Sequence, residues 1–306
     1  MKSRHMTRRR HSAPQVQRGL VSAADRRRPK VRWTLRLIDG ATLVLLLIIG
    51  LGPLLWLAKS SITPTQDTIR TPMALWPHGF DLGTFARAWS RTHIDRYFLN
   101  TVWIAIGSWF VQILVATTGG YALSVLRPKF ARVLTALVLA TLFVPSIVLL
   151  VPLYLTIVDM PVVHIKMIDT FWAVWLPAGA SAFNVLLMKR FFDNLPREIF
   201  EAAQVDGAGP FRMFWSILIP LSRPIIGVVS VFAVIGTWKD YLWPLLVLPD
   251  PNMQPLSVRL PTLQPTTQLD VFLAALAIAT MIPVVLFLGF QRMFLQGGDL
   301  SGAVKG

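Results

Sequence analysis

Cysteine is absent from all 306 residues. Disulfide frameworks, thiol nucleophiles and cysteine-ligated metals are excluded at once. Acid is scarce: 15 Asp and Glu stand against 30 Lys and Arg, and only Glu198 and Glu201 are glutamates. The 5 histidines are scattered, without the spacing of metal ligands. No G-x-x-x-x-G-K-[ST] phosphate loop occurs, so the chain is not expected to bind or hydrolyse ATP. No polar segment is long enough to fold as a soluble enzyme. We therefore expect no catalytic residues, no metal and no cofactor held by this chain.

What the chain has in quantity is apolar sequence. It is 54% hydrophobic and 15% charged, with a mean hydropathy of +0.57, which places it among membrane proteins. Six stretches reach the roughly 20 apolar residues that a helix needs to cross a bilayer. They are 38–58, 101–125, 133–157, 170–188, 224–244 and 271–291. Pro145, Pro152, Pro177 and Pro283 fall inside them. In a membrane bundle such prolines predict kinks, because neighbouring groups can satisfy the freed carbonyls.

The net charge of +15 is concentrated at one end. Residues 1–36 hold twelve Lys/Arg against Asp25 alone. A basic run of this kind suits nucleic acid, or a disordered cytoplasmic arm that fixes topology and touches anionic lipid. The apolar span that follows directly favours lipid as the partner, with no nucleic acid. The basic region is too long for a cleavable signal peptide, and no clear small-residue cleavage site follows. Two regions are expected: the arm 1–36, and a six-helix domain 37–306.

Loop charge sets the orientation. Arg127, Lys129 and Arg132 lie between spans two and three, and Lys189, Arg190, Arg197, Arg212 and Arg223 between spans four and five. The loops on the other side hold few cations. The exception is the first loop, with Arg70, Arg87, Arg91 and Arg96; at about 40 residues it is long enough to dilute the rule. Both termini are expected in the cytoplasm.

The loop 189–223 is the most informative segment. Asn194-Leu195-Pro196 is a helix-start signal, with Asn194 as candidate cap. Residues 197–205 favour helix, Asp206-Gly207 ends it, and Pro210 opens a second helix expected over 210–219. Phe211, Phe214, Trp215 and Leu218 fall at i, i+3, i+4 and i+7, which predicts one apolar face. Two readings fit: a hairpin lying on the membrane, or a hairpin seated in a partner's groove. In the second, Ala202 and Ala203 permit close approach and Glu201 supplies a charged anchor.

Glu201-Ala202-Ala203, three residues, Gly207, nine residues, then Ile217-Leu218-Ile219-Pro220 resembles the signature loop of ABC-importer permeases, with Ile219 in place of a leucine. The chain is similar to the carbohydrate-uptake branch, the maltose-type second permease. Leu75-Trp76-Pro77, Tyr97 to Thr101, Asp169-Thr170, Phe191-Phe192, Trp238 to Pro244 and the tail Ser301 to Gly306 carry further likeness, spread over about residues 37–306. The resemblance implies an all-α polytopic membrane protein with six transmembrane helices of the type I ABC-importer permease fold, in a bacterial inner membrane. It implies four kinds of chain in one assembly: this permease, a second permease, a dimer of ATP-binding subunits and an extracytoplasmic solute-binding protein. ATP and Mg would bind the partner ATPase. It assigns ATPase coupling to Glu201, Ala202, Ala203, Asp206, Gly207, Ile217 and Pro220.

The solute pathway is less defined. Trp238, Lys239, Asp240, Tyr241 and Trp243 are candidates, since aromatic faces suit sugar rings. An aromatic belt at the outer interface fits the same residues. Lys239 stands where the family usually has asparagine. An ion pair with Asp240, or contact with an anionic or hydroxylated solute, would each account for it. Phe143, Asn184 and Thr237 are further pathway candidates. A glycerol phosphate permease and a non-transporting scaffold are the competing functions. No intramembrane carboxylate pair suggests a proton- or sodium-driven carrier.

Overall fold

Apolar runs that cross a bilayer must satisfy their own backbone, and helices do so within one segment. The computed structural model describes residues 29–76 and 79–299. Most of the basic arm, residues 1–28, and the tail Ser301 to Gly306 lie outside the described residues, as does Pro77. Helix α1 (Pro29–Ser60) carries the first span, followed by α2 (Thr65–Arg70) and α3 (Gly83–Arg91). Helix α4 (Ile94–Tyr121) continues into a π turn (Ala122–Leu126). Helices α5 (Ala131–Thr141) and α6 (Ser146–Val158) share the third span, α7 (Trp172–Ala178) and α8 (Ala182–Asp193) the fourth. The hairpin comprises α9 (Arg197–Val205), α10 (Pro210–Met213), a second π turn (Phe214–Leu218) and α11 (Ile219–Leu221). Then come α12 (Arg223–Trp238), α13 (Leu242–Val247), α14 (Leu256–Leu263) and α15 (Leu269–Asp299).

The expected spans fall on helices, but several boundaries differ. Among the described residues, Pro29–Ser60 and Ile94–Leu126 are each long and apolar enough to cross alone. Helix α1 reaches back to Pro29, so residues 29–36 belong to a helix rather than to a loose arm. The third span is broken, with α5 and α6 meeting at 106°. The amides of Leu142, Phe143 and Val144 bond to carbonyls three residues back, and Pro145 turns to ψ 130 before Ser146. Proline at that point cannot continue the helical ladder. The fourth span is interrupted between Ala178 and Ala182, and Ser181 Oγ accepts from the Asn184 amide at 3.4 Å to start α8. The fifth ends at Trp238, short of the expected 244, and is bent by 80° from the hairpin segment before it. Pro244 sits in the first turn of α13, where its missing N–H does no harm.

By contact the chain divides into Met1–Trp56 and Leu57–Gly306. In the second unit α4 is the central helix, packing on α8, α12 and α7. Small residues permit the approach. A Cβ at Gly120 would stand 2.9 Å from Met188 Cβ and 3.0 Å from the Lys189 amide nitrogen. One at Gly107 would fall within the Trp175 ring. Between these points Asn184 Nδ2 donates to Gln112 Oε1 at 2.9 Å, joining α4 to α8 through a buried amide pair. On the side away from the hairpin, the α2–α3 loop is tied to the start of α15. Thr65 Oγ1 donates to Asp270 at 2.9 Å, and Arg87 bridges Asp81 at 2.7 Å and Asp270 at 3.3 Å. The hydrogen bond from Arg87 holds the Asp81 carboxyl below its ordinary value, against a smaller opposing effect of burial.

Candidate functional site

The hairpin begins where α8 ends. Asn194 closes α8 at φ −88°, and Pro196 precedes Arg197 with ψ 129 and no side-chain cap. The expected Asn194 cap is thus corrected: the extended Pro196 starts the helix two residues later. Glu198 lies in the first turn, where the helix dipole favours an acid. The other end is closed by a Schellman motif. The Ala208 amide donates to Ala203 O at 2.9 Å, the Gly207 amide donates to Gln204 O at 3.0 Å, and Gly207 sits at φ +75°.

The two limbs are rooted in one apolar cluster. Phe200 of α9 and Met213, Phe214 and Leu218 of the second limb are buried with Tyr121, Leu123, Met188 and Phe192 from the ends of α4 and α8. Tyr121 stacks at a tilt on Phe214, with centroids 5.3 Å apart, and its hydroxyl donates to Pro210 O at 3.0 Å. Beside this cluster Asp193 accepts from Lys189 Nζ at 2.6 Å and Ser124 Oγ at 2.7 Å, with Arg127 Nη2 at 3.3 Å. Burial pushes the Asp193 carboxyl up. The bonds from Lys189 and Ser124 outweigh it and hold the group below its ordinary value.

The second limb differs from the expected helix. It runs from Pro210 to Leu221, and residues 214–218 form a π turn in which the Ile219 amide reaches Phe214 O. Pro220 follows directly, so the wider turn accommodates a residue with no amide and a bulky ring. The first π turn has the same setting: the Arg127 amide bonds to Ala122 O, and Pro128 comes next. The predicted apolar face is divided between core and surface. Phe214 and Leu218 point into the core, whereas Phe211 and Trp215 are exposed.

Among the residues assigned to coupling, Glu201, Ala202, Asp206 and Gly207 are exposed on the hairpin, Ala203 is buried, Ile217 is half-buried and Pro220 is exposed. Ala202, Asp206 and Ile217 line a recess of about 370 Å³ between the limbs, with Arg212. Glu201 lines a separate cleft of about 240 Å³, with Arg127, Asp193 and Arg197. It forms no ion pair among the described residues. Two further residues complete the exposed surface: Val205, 88% exposed and not singled out from sequence, and Phe211, 77% exposed and expected only as part of the apolar face of the second helix. An apolar Val205 one step before an Asp-Gly stop, with no fold partner, was the available signal. The root residues Tyr121, Ser124 and Asp193 gave none, since the Tyr121–Pro210 and Ser124–Asp193 partners are distant in sequence and the i, i+4 spacing of Lys189 and Asp193 is ordinary on a helix surface.

The five pathway candidates do not form one site. Trp238 is buried, packs edge-on to Phe98 and donates to Ala279 O at 3.1 Å. Its ring thus serves the core around α4 and α15. Lys239 is exposed, and no ion pair joins it to Asp240 among the described residues. Tyr241 is exposed as well. Asp240 and Trp243 share a pocket of about 290 Å³ with Ser146, Ile147 and Leu150 at the start of α6. Trp243 donates to Ala173 O at 2.9 Å. Asn184 is committed to the Gln112 pair, while Phe143 stands exposed at the α5–α6 break.

Apolar helices of spanning length, broken spans and a hairpin rooted in two helix ends define a polytopic membrane subunit with an exposed hairpin between two spans. The family described as binding-protein-dependent transport system inner membrane component matches residues 112–297. The arabinooligosaccharides transport system permease protein AraQ of Halalkalibacterium halodurans is 31% identical over 264 residues, 84% of this chain and 92% of that protein. The sn-glycerol-3-phosphate transport system permease protein UgpE of Agrobacterium fabrum is 30% identical over 273 residues, 86% of this chain and 95% of that one. A bacterial ABC transporter involved in the import of the acidic polysaccharide alginate has a similar fold, with a TM-score of 0.73 at 21% identity, covering 87% of this chain and 97% of that chain. The chain belongs to the binding-protein-dependent transport system inner membrane component family, on its carbohydrate-uptake ABC permease branch. Its fold is the all-α polytopic type I permease fold.

Proposed function

We propose that this chain is the pathway-forming subunit of an ATP-driven importer that moves a sugar or oligosaccharide inward by alternating access. The observation that carries the reading is the root of the hairpin. Phe200, Met213, Phe214 and Leu218 are buried against the ends of α4 and α8, so a displacement of the hairpin is delivered to both helices. The exposed surface of Glu201, Ala202, Val205, Asp206, Gly207 and Phe211 docks in a cleft of a partner ATPase, which binds ATP and Mg. The hairpin and both termini lie in the cytoplasm, a reading that the positive loops support.

Closure of an ATPase dimer moves the hairpin and, through it, α4 and α8. The breaks at Pro145 and at 179–181 lie where helices of the same unit can change angle. Nucleotide biases the gate only because the two gate states bind the ATPase differently. A second permease completes the pathway, and an extracytoplasmic solute-binding protein delivers cargo. Relatives named for arabinooligosaccharides and diacetylchitobiose support the sugar assignment. Relatives named for sn-glycerol-3-phosphate favour a second reading, a phosphorylated polyol, for which the exposed Lys239 is the residue to probe.

The test is reconstitution with the partner subunits in liposomes. Glu201→Lys and Gly207→Asp are expected to insert normally and to abolish uptake. Uptake at the wild-type rate in both would overturn the docking assignment.

A further inference from the structure

Four cations face one carboxylate in a groove on the hairpin side. The groove, of about 780 Å³, runs between the start of α5 and the ends of α4 and α8. Arg127, Lys129, Arg132 and Lys189 line it, and Asp193 is its single acid. Asp193 is already shared between Lys189 and Arg127. Lys129 and Arg132 are exposed and form no ion pair among the described residues. The lining changes character along α5. Arg132, Thr135, Ala136 and Leu139 fall at i, i+3, i+4 and i+7 on one face, so charge at the helix start gives way to apolar surface about 10 Å further along. Leu139 is about half exposed, and Leu123 of the π turn lines the same groove.

A free anion would use the cations but leave the apolar strip uncovered. A protein segment would need acid and apolar groups in one strand along the helix. A phospholipid has a phosphate at one end and a hydrocarbon chain at the other, in the direction in which the groove changes. We propose that the groove binds one anionic phospholipid, its headgroup phosphate on Lys129 and Arg132 and its acyl chain along Leu123 and Leu139. A phosphate there draws Arg127 and Lys189 away from Asp193, which joins the ends of α4 and α8 beside the root of the hairpin. Anionic lipid therefore tunes how firmly the hairpin is tied to α4. The lipid site rests on the membrane-subunit reading; its effect on coupling rests in addition on the importer reading.

The test uses the assembled transporter with its partner subunits, in nanodiscs of phosphatidylcholine alone or mixed equally with phosphatidylglycerol. Native mass spectrometry after delipidation should find phosphatidylglycerol retained by the wild type. Lys129→Gln with Arg132→Gln should lower that retention about 10-fold or more, since each cation at a membrane surface contributes a several-fold preference for anionic lipid. Lys129→Arg with Arg132→Lys should keep it, which separates loss of charge from misfolding. ATP hydrolysis should be faster with phosphatidylglycerol in the wild type, and this lipid dependence should disappear in the Gln variant. Equal retention by the wild type and the Gln variant would overturn the proposal. So would stimulation by inorganic phosphate in phosphatidylcholine discs, which would make the groove a site for soluble anions. If retention separates the variants but no assembly hydrolyses ATP, the lipid site stands and the importer reading fails.

Discussion

Gly207 holds a φ of +75°, and a Cβ built there would meet nothing within 4 Å. Any penalty for replacing it inside this chain is therefore backbone strain, about 1 kcal/mol for alanine. Asparagine tolerates this backbone better, so thermal melting of the purified subunit should rank Gly207 above Gly207→Asn above Gly207→Ala. A larger loss of uptake than of stability at this position would locate the defect in docking. Asp193 makes a different prediction. Its carboxyl is held below its ordinary value by Lys189 and Ser124, with Arg127 adding to them. The stabilisation is full above the unfolded value near 3.9 and is lost as pH falls through the lower folded value. Asp193→Asn should thus lower the melting temperature at neutral pH, and the gap to wild type should close on acidification below about pH 4. Residues whose role is local were legible in sequence, as the Gly207 bend shows. Trp238 was not: its place in an aromatic-rich stretch suggested solute contact, whereas its ring fills the core beside Phe98. The Lys239–Asp240 pair also failed, because adjacency in sequence sends neighbouring side chains in different directions at a helix end. Lys239→Asn should leave solute uptake unchanged if Lys239 is only an interfacial residue; a change in solute affinity would return it to the pathway.

Elements show where apolar length stops being informative. The run 133–157 reads as one span, yet the chain turns through 106° between α5 and α6. Pro145 marked the place, but a kink and a break look alike in sequence, since neighbours decide whether the freed carbonyls are satisfied. The two π turns were illegible for a related reason. Each ends two residues before a proline, at Pro128 and Pro220, and each shifts the side-chain register by a fraction of a turn. The predicted face of the second limb is also divided, with Phe214 and Leu218 buried and Phe211 and Trp215 exposed. The close contact of α4 with α8 gives the prediction at this scale. Alanine at Gly120 would press on the Met188 Cβ and the Lys189 backbone, neither of which can rotate away. Gly120→Ala should cost about 1–3 kcal/mol, read as a lower melting temperature in detergent. Gly236→Ala, inside α12 with nothing within 4 Å, is the matched control and should melt at or slightly above wild type.

At the scale of the whole molecule, the helical class and the six apolar stretches followed from bilayer thickness and composition. The way the hairpin is built into the fold did not, because it depends on burial of Phe200, Met213, Phe214 and Leu218 against residues some 10 to 100 positions away. Motion at the hairpin is carried by packed side chains that cannot deform by small steps, so the hairpin and the ends of α4 and α8 move as one body. The chain has no cysteine, so paired labels can be introduced without a background. Glu198 in the first turn of α9 and Leu114 on α4 are both exposed, and neither belongs to the docking surface. The most direct measurement is the spin-label distance between Glu198→Cys and Leu114→Cys in the transport-active assembly, without nucleotide and with ATP trapped. A rigid lever predicts the same distance distribution in both states. A shift in that distance while uptake persists would contradict it.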